Sequence, residues 1–287
     1  MKQASHLVLI TGATRGLGKL VADKFWSEGN NIIIVARNKE ELKKTSKEYA
    51  KNAMQEQQIY DFPFDLANIE EISSLTDNIK SKAGNPDIII NNAAIQGPIG
   101  PIHKNNWQEW QKCLNVCLLA PVHICREFIP SMIQNKFGRI INISGGGSTG
   151  PRPNFSGYAT AKCGLLRFSE TIAQEVEQYG ITINCVAPGA MYSGLTKDII
   201  NAGVQYAGNS EIESAMDLLN NNPETGKKAA ELIHFLTQNK CCDINGKLIS
   251  AVWDDWEKLP NYVDLIKNND IYTLRRILPE DRNIKLK

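Results

Sequence analysis

The chain has 287 residues, with 32 Lys+Arg against 31 Asp+Glu and a formal net charge of +1, which excludes a nucleic-acid or membrane partner recruited by bulk charge. With 42% hydrophobic and 22% charged residues it is too apolar for a disordered chain and has enough apolar material for a sizeable core. Its apolar runs fall short of the roughly 18 residues a membrane span needs, and the first one is too short for a signal-peptide core, so a cytoplasmic protein with no membrane partner is expected.

Taken in chain order, β-branched runs predict strands at 7–10, 31–35, 58–62, 87–90, 138–143, 181–186 and 247–250. Helical spacing predicts helices at 18–28, 39–52, 69–83, 107–133, 158–179 and 225–236. Alternation of strand and helix is the signature of a parallel sheet covered on both faces, and the near-continuous apolar character of several runs fits strands buried on both sides. The expected fold class is therefore α/β: a single doubly wound, nucleotide-binding (Rossmann-type) domain over 1–250, with seven parallel strands and helices on both faces. Residues 190–224, rich in Gly, Ser and Asn around weak helical pieces, read as a mobile insertion beside the substrate. Residues 251–287 form a tail whose aromatic content predicts docking on the domain or on a neighbouring subunit.

The seven cysteines form no C-x-x-C pair and sit in apolar segments, so reduced, mostly buried thiols are expected. The four histidines stand alone without metal-ligand spacing, and no metal site is expected.

Directly after the first strand comes Thr11-Gly12-Ala13-Thr14-Arg15-Gly16-Leu17-Gly18, leading into a helix. Glycines there permit a tight turn and close approach of backbone to a pyrophosphate, while the helix N-terminus offers free N–H groups. Further on come Asn91-Asn92-Ala93-Ala94, Asn115, Ser144, Tyr158 with Lys162, and Pro188-Gly189. In spacing and order these resemble the short-chain dehydrogenase/reductase family, in its ordinary, non-extended form, over about residues 5–250. The unusual tail departs from that pattern. So do the glycine run 145–147 and Ala94, which stands where relatives usually have glycine.

The resemblance implies a nicotinamide cofactor held by Gly12, Thr14, Arg15, Gly16, Leu17 and Gly18, by Asp65 and Leu66 at the adenine, and by Asn92, Ala93, Tyr158, Lys162, Pro188, Gly189 and Ser193. The second strand runs into Val35-Ala36-Arg37-Asn38 with no acid at its tip. An acid there would bind the 2′-hydroxyl of NAD; an arginine accommodates the 2′-phosphate of NADP. Arg37, with Arg15 as a second cation, therefore points to NADP(H). Asp65 has the alternative of a simple helix cap.

Tyr158 and Lys162 are four apart on one helical face, where an ammonium is expected to draw a phenol down toward working pH and make it a usable acid or base. The family roles carry over as Tyr158 proton donor, Lys162 its tuning partner, Ser144 positioning the carbonyl and Asn115 supporting a proton relay. Gly145, Arg152 and Tyr192 are candidate substrate contacts, Arg152 having the alternative of an exposed loop arginine. Polar segments at 94–106, 145–157 and 190–224 disfavour a long greasy pocket. The expected function is NADPH-dependent, reversible reduction of a small-molecule carbonyl to an alcohol. Ranked first is a polar ketone such as a keto-sugar or its nucleotide or phosphate derivative in bacterial surface-sugar synthesis. Alternatives are a 3-oxoacyl thioester reductase and a non-catalytic NADP-binding redox sensor. The resemblance also implies a homodimer or homotetramer.

Overall fold

The computed structural model describes residues 5–54, 56–221 and 224–285; the ends of the predicted spans at 1–4 and 286–287, and positions 222–223 of the insertion, lie outside them. Seven strands, β1 (Leu7–Thr11), β2 (Asn31–Ala36), β3 (Ile59–Pro63), β4 (Ile88–Asn91), β5 (Gly138–Ile143), β6 (Ile181–Ala187) and β7 (Leu248–Ser250), form one sheet in the order β3-β2-β1-β4-β5-β6-β7. Every pairing is parallel, with Ile10 opposite both Ile34 and Ile90.

Side-chain alternation divides the core between the two faces. Val8, Ile10, Ile32, Ile34, Ile88 and Ile90 point to one side. They meet α1 (Gly16–Ser27) through Val21 and Phe25, α2 (Lys39–Lys51) through Leu42, and α10 (Thr225–Leu236) through Leu232 and Ile233. Leu9, Ile33, Ile89, Ile140 and Ile183 point to the other side, against α3 (Ile72–Lys82), α5 (Ala120–Asn135) and α6 (Ser156–Val176).

The stretch expected as one helix over 107–133 is interrupted. Helix α4 (Trp107–Leu114) gives way at Asn115–Leu119 to a π-helical turn, in which the N–H of Ala120 bonds the carbonyl of Asn115, before α5 resumes. Such a turn adds a residue to the spiral and re-aims the side chains after it, which the 3.6-residue period does not anticipate. The run Trp107–Asn135 is long and apolar enough by composition to cross a membrane. Here Ile124, Phe128 and Met132 are buried against the sheet.

The insertion folds as three helices, α7 (Gly194–Ala202), α8 (Val204–Ala207) and α9 (Asn209–Asn221). In the tail, the N–H of Leu248 on β7 donates to the carbonyl of Tyr272, Lys247 donates to the carbonyls of Asn269 and Ile271, and Glu170 accepts from the N–H of Leu274. Trp256 lies edge-on to Phe235 of α10 at 5.1 Å between ring centroids, whereas Trp253 is 85% exposed. Helix α11 (Val263–Lys267) contributes the buried Ile266 to the same core.

Candidate active site

Strand order reverses between β1 and β4, which leaves a crevice beyond the C-terminal strand ends. Thr11, the last residue of β1, closes its base: its hydroxyl accepts from the N–H groups of both Asn92 and Ala93 at 3.0 Å. The Asn92 amide returns a bond to the Thr11 carbonyl at 2.9 Å. Gly12 and Gly16 both adopt positive φ, at 68° and 54°. A Cβ on Gly18 would lie 2.1 Å from the Gly12 carbonyl oxygen, so the turn closes to this degree only with glycine there. Leu17 is buried beneath the turn, Thr14 is half-buried, and Arg15 is exposed as the N-cap of α1.

Arg37, just past β2, is also exposed, and neither it nor Arg15 forms a salt bridge among the described residues. Asp198 on α7 feels both guanidinium charges, and a Cβ on Gly194 would lie 3.4 Å from Arg15 Nη2, so the insertion reaches the same rim. A glycine turn open to solvent and flanked by two uncommitted guanidiniums suits a dinucleotide with an additional phosphate. Asp65 accepts from the N–H of Ala67 in a local turn, with Leu66 buried beside it, and the amide of Asn115 donates to the Ala67 carbonyl at 3.1 Å. The π-helical turn and the turn at Asp65–Ala67 are thereby tied together.

The chemical groups meet at the end of β5. Ser144, 4% exposed, donates from Oγ to Ser148 Oγ at 2.9 Å. Lys162 is buried and its Nζ donates to the carbonyl of Ile143 at 2.6 Å, 5.6 Å from the centre of the Tyr158 ring. Beneath them a buried ladder runs from Asn91 to Asn142 at 2.8 Å and from Asn142 to Ser169 at 2.7 Å, fixing β4, β5 and α6 in register. One expectation is corrected. Burial dominates the Tyr158 phenol and pushes it above its ordinary value; the neighbouring Cys117 thiol adds to the rise and the Arg152 guanidinium opposes it. Lys162 is turned toward the backbone carbonyl of Ile143.

Pro188 and Gly189 follow β6, with Gly189 at φ 81° and Val252 of the tail packed against it. Ser193 caps α7: its N–H donates to Thr196 Oγ1, and the two hydroxyls lie 3.4 Å apart. Gly145 sits against the Tyr158 hydroxyl, and Tyr192 is half-buried with the Lys197 ammonium 5.7 Å from its ring centre. Arg152 is forked on Glu211, with its guanidinium 5.9 Å from the centre of the Tyr158 ring. An open cleft of about 430 Å³ lies between the loop carrying Gly97 and Ile99 and the insertion's Asp198, Asn201, Ala202 and Tyr206. Ser148, Glu211 and the carbonyl of Ile143 escape sequence reasoning. Ser148 alone carries a signal, as a hydroxyl in an otherwise glycine-rich run.

A family model described as short chain dehydrogenase matches residues 6–203. The chain belongs to the short-chain dehydrogenase family. This short-chain dehydrogenase is 36% identical over 188 residues to the 3-oxoacyl-[acyl-carrier-protein] reductase FabG of Rickettsia prowazekii (strain Madrid E), covering 66% of this chain and 73% of that protein. A metagenomic short-chain oxidoreductase solved in complex with NADP shares 25% identity at a TM-score of 0.66, over 83% of this chain and 93% of its own. The L-sorbose reductase of Gluconobacter frateurii, complexed with NADPH and L-sorbose, has the same fold at a TM-score of 0.74 and 23% identity, over 86% and 95% of the two chains. All seven cysteines are free thiols, five of them buried.

Proposed function

We propose that the protein is an NADPH-dependent reductase of a polar ketone, a keto-sugar or its nucleotide or phosphate derivative. The observation that carries the chemistry is the meeting of Ser144, Tyr158 and Lys162 at the end of β5, beside a glycine turn whose rim carries Arg15 and Arg37. The NADP bound by the metagenomic relative supports the cofactor assignment. NADPH bound there supplies the hydride to the carbonyl carbon.

Ser144 exchanges its bond to Ser148 for one donated to the substrate's carbonyl oxygen, and Tyr158 gives that oxygen its proton as the carbonyl becomes an alcohol. Lys162, anchored on Ile143, holds positive charge near the phenol as it becomes anionic and would hold the ribose of a bound cofactor. Asn115, its amide bonded to the Ala67 carbonyl, supports the water relay that returns a proton to Tyr158. Asp198, Asn201 and Tyr206 in the cleft support a hydroxylated substrate. A 3-oxoacyl thioester is the second reading, favoured by the relatives of that activity and by the exposed Val204, Met216 and Leu219 on α8 and α9.

The tail's hydrogen bonds to β7 and α6 support its belonging to the same folded unit, and a homodimer or homotetramer is the assembly proposed. NADPH oxidation against a panel of keto-sugars, 3-oxoacyl thioesters and simple diketones, repeated with Tyr158→Phe, tests the reading. Turnover of a keto-sugar that disappears in the variant supports it, and NADPH binding without turnover of any carbonyl overturns it.

A further inference from the structure

Arg152 and Glu211 tie the loop after β5 to the insertion that lines the cleft. Arg152 lies in the loop between β5 and α6, and Glu211 in the first turn of α9. Nε and Nη2 of the guanidinium each meet a separate carboxylate oxygen at 2.7 Å, with the side chains only 17% and 29% exposed. This two-point, part-buried pairing is of the kind that carries geometric specificity as well as energy.

The guanidinium also lies on the face of Phe155, 3.9 Å from the ring centre, and 5.9 Å from the centre of the Tyr158 ring. Phe155 is fully buried and belongs to a small apolar cluster separate from the main core, made with Ile99 and with Ile199, Ala207, Ile212 and Ala215 of the insertion. Its carbonyl accepts from the N–H of Ala159 in the first turn of α6. The insertion is therefore joined through Glu211, Arg152 and Phe155 to the turn that carries Tyr158.

We propose that Arg152 is a positioning residue and that its fork on Glu211 is a latch: it opens to admit the ketone and, once closed, holds α7–α9 over the carbonyl site. The Phe155 cluster is the seat on which the closed segment rests. Only the kinetic consequence depends on the reductase reading; the structural one does not.

Hydrogen exchange of the full chain with NADPH bound reads the latch without any turnover. Glu211→Gln, which keeps the side chain's shape, and Arg152→Gln are each expected to speed exchange in α8 and α9 about tenfold, while β1 and β4 stay as in the parent. Arg152→Glu combined with Glu211→Arg is expected to restore protection in those helices. For a ketone identified by the panel, Glu211→Gln is expected to raise KM about tenfold with NADPH affinity unchanged. Exchange in α8 and α9 unaltered by both single variants overturns the latch. So does a charge-swapped protein no better protected than either single variant. A failed panel combined with faster exchange in the single variants leaves the latch standing and removes only the reductase reading.

Discussion

Gly145 leaves no space for a side chain beside Tyr158: a Cβ built on its backbone lies 2.3 Å from the phenolic oxygen. The glycine run after β5 thus does more than loosen a loop, because it lets the backbone approach the Tyr158 hydroxyl. Gly145→Ala is expected to push the hydroxyl off its position and to lower kcat/KM about 10²-fold, the scale associated with a 1 Å misplacement at a reacting group. Steady-state kinetics beside thermal unfolding check this, the Tm being expected to move far less than the activity.

The raised Tyr158 phenol makes a pH prediction of definite sign. A folded-state value above the ordinary 10 means that the native state favours the proton, so this contribution to stability is complete below pH 10 and is lost as pH rises through the folded-state value. Tyr49, raised by burial and by its hydrogen bond to Asp23, acts in the same direction. Denaturant unfolding should show stability falling above pH 10, with a shallower fall in Tyr158→Phe and the remainder shared by Tyr49 and the buried thiols of Cys125 and Cys185. Tyr158 itself should impose no alkaline loss of kcat/KM for ketone reduction between neutral pH and 10.

Arg37 has an exposed guanidinium just past β2 and forms no salt bridge among the described residues, Asp198 being the carboxylate that feels its charge. Arg37→Asp is expected to weaken NADPH binding by about 10- to 100-fold, the worth of a charge-assisted pair plus the new repulsion, while NADH binding changes little or improves. Fluorescence titration with the two cofactors measures the ratio. Equal losses for both would place Arg37 away from the 2′-phosphate.

The two tail tryptophans should separate cleanly. Trp256 packs on Phe235 and against the main core, so Trp256→Ala is expected to cost about 2–4 kcal/mol. Trp253 is 85% exposed, and Trp253→Ala should stay within about 0.5 kcal/mol of the parent. Chemical denaturation of the two variants provides the comparison.

Most of the fold was legible because the strands are short, β-branched and bounded by polar or small residues, and because alternation such as Val8 and Ile10 against Leu9 serves two apolar faces. The glycine turn was legible for a similar reason: backbone conformation at Gly12 and contact distance at Gly18 dictate residue type directly. Sequence by itself therefore determined the α/β architecture, the family, the cofactor turn and the identity of Ser144, Tyr158 and Lys162 as candidate chemical groups. Only the tertiary structure decided how those groups are poised. The π-helical turn at Asn115 shifts a local hydrogen-bond register and leaves no mark in hydrophobic periodicity. The upward displacement of Tyr158 depends on the desolvation created by everything packed around it, which the spacing to Lys162 does not contain. Arg152 looked free to meet a substrate because its partner, Glu211, lies 59 residues away along the chain. Its commitment arises only when α9 packs beside the loop after β5.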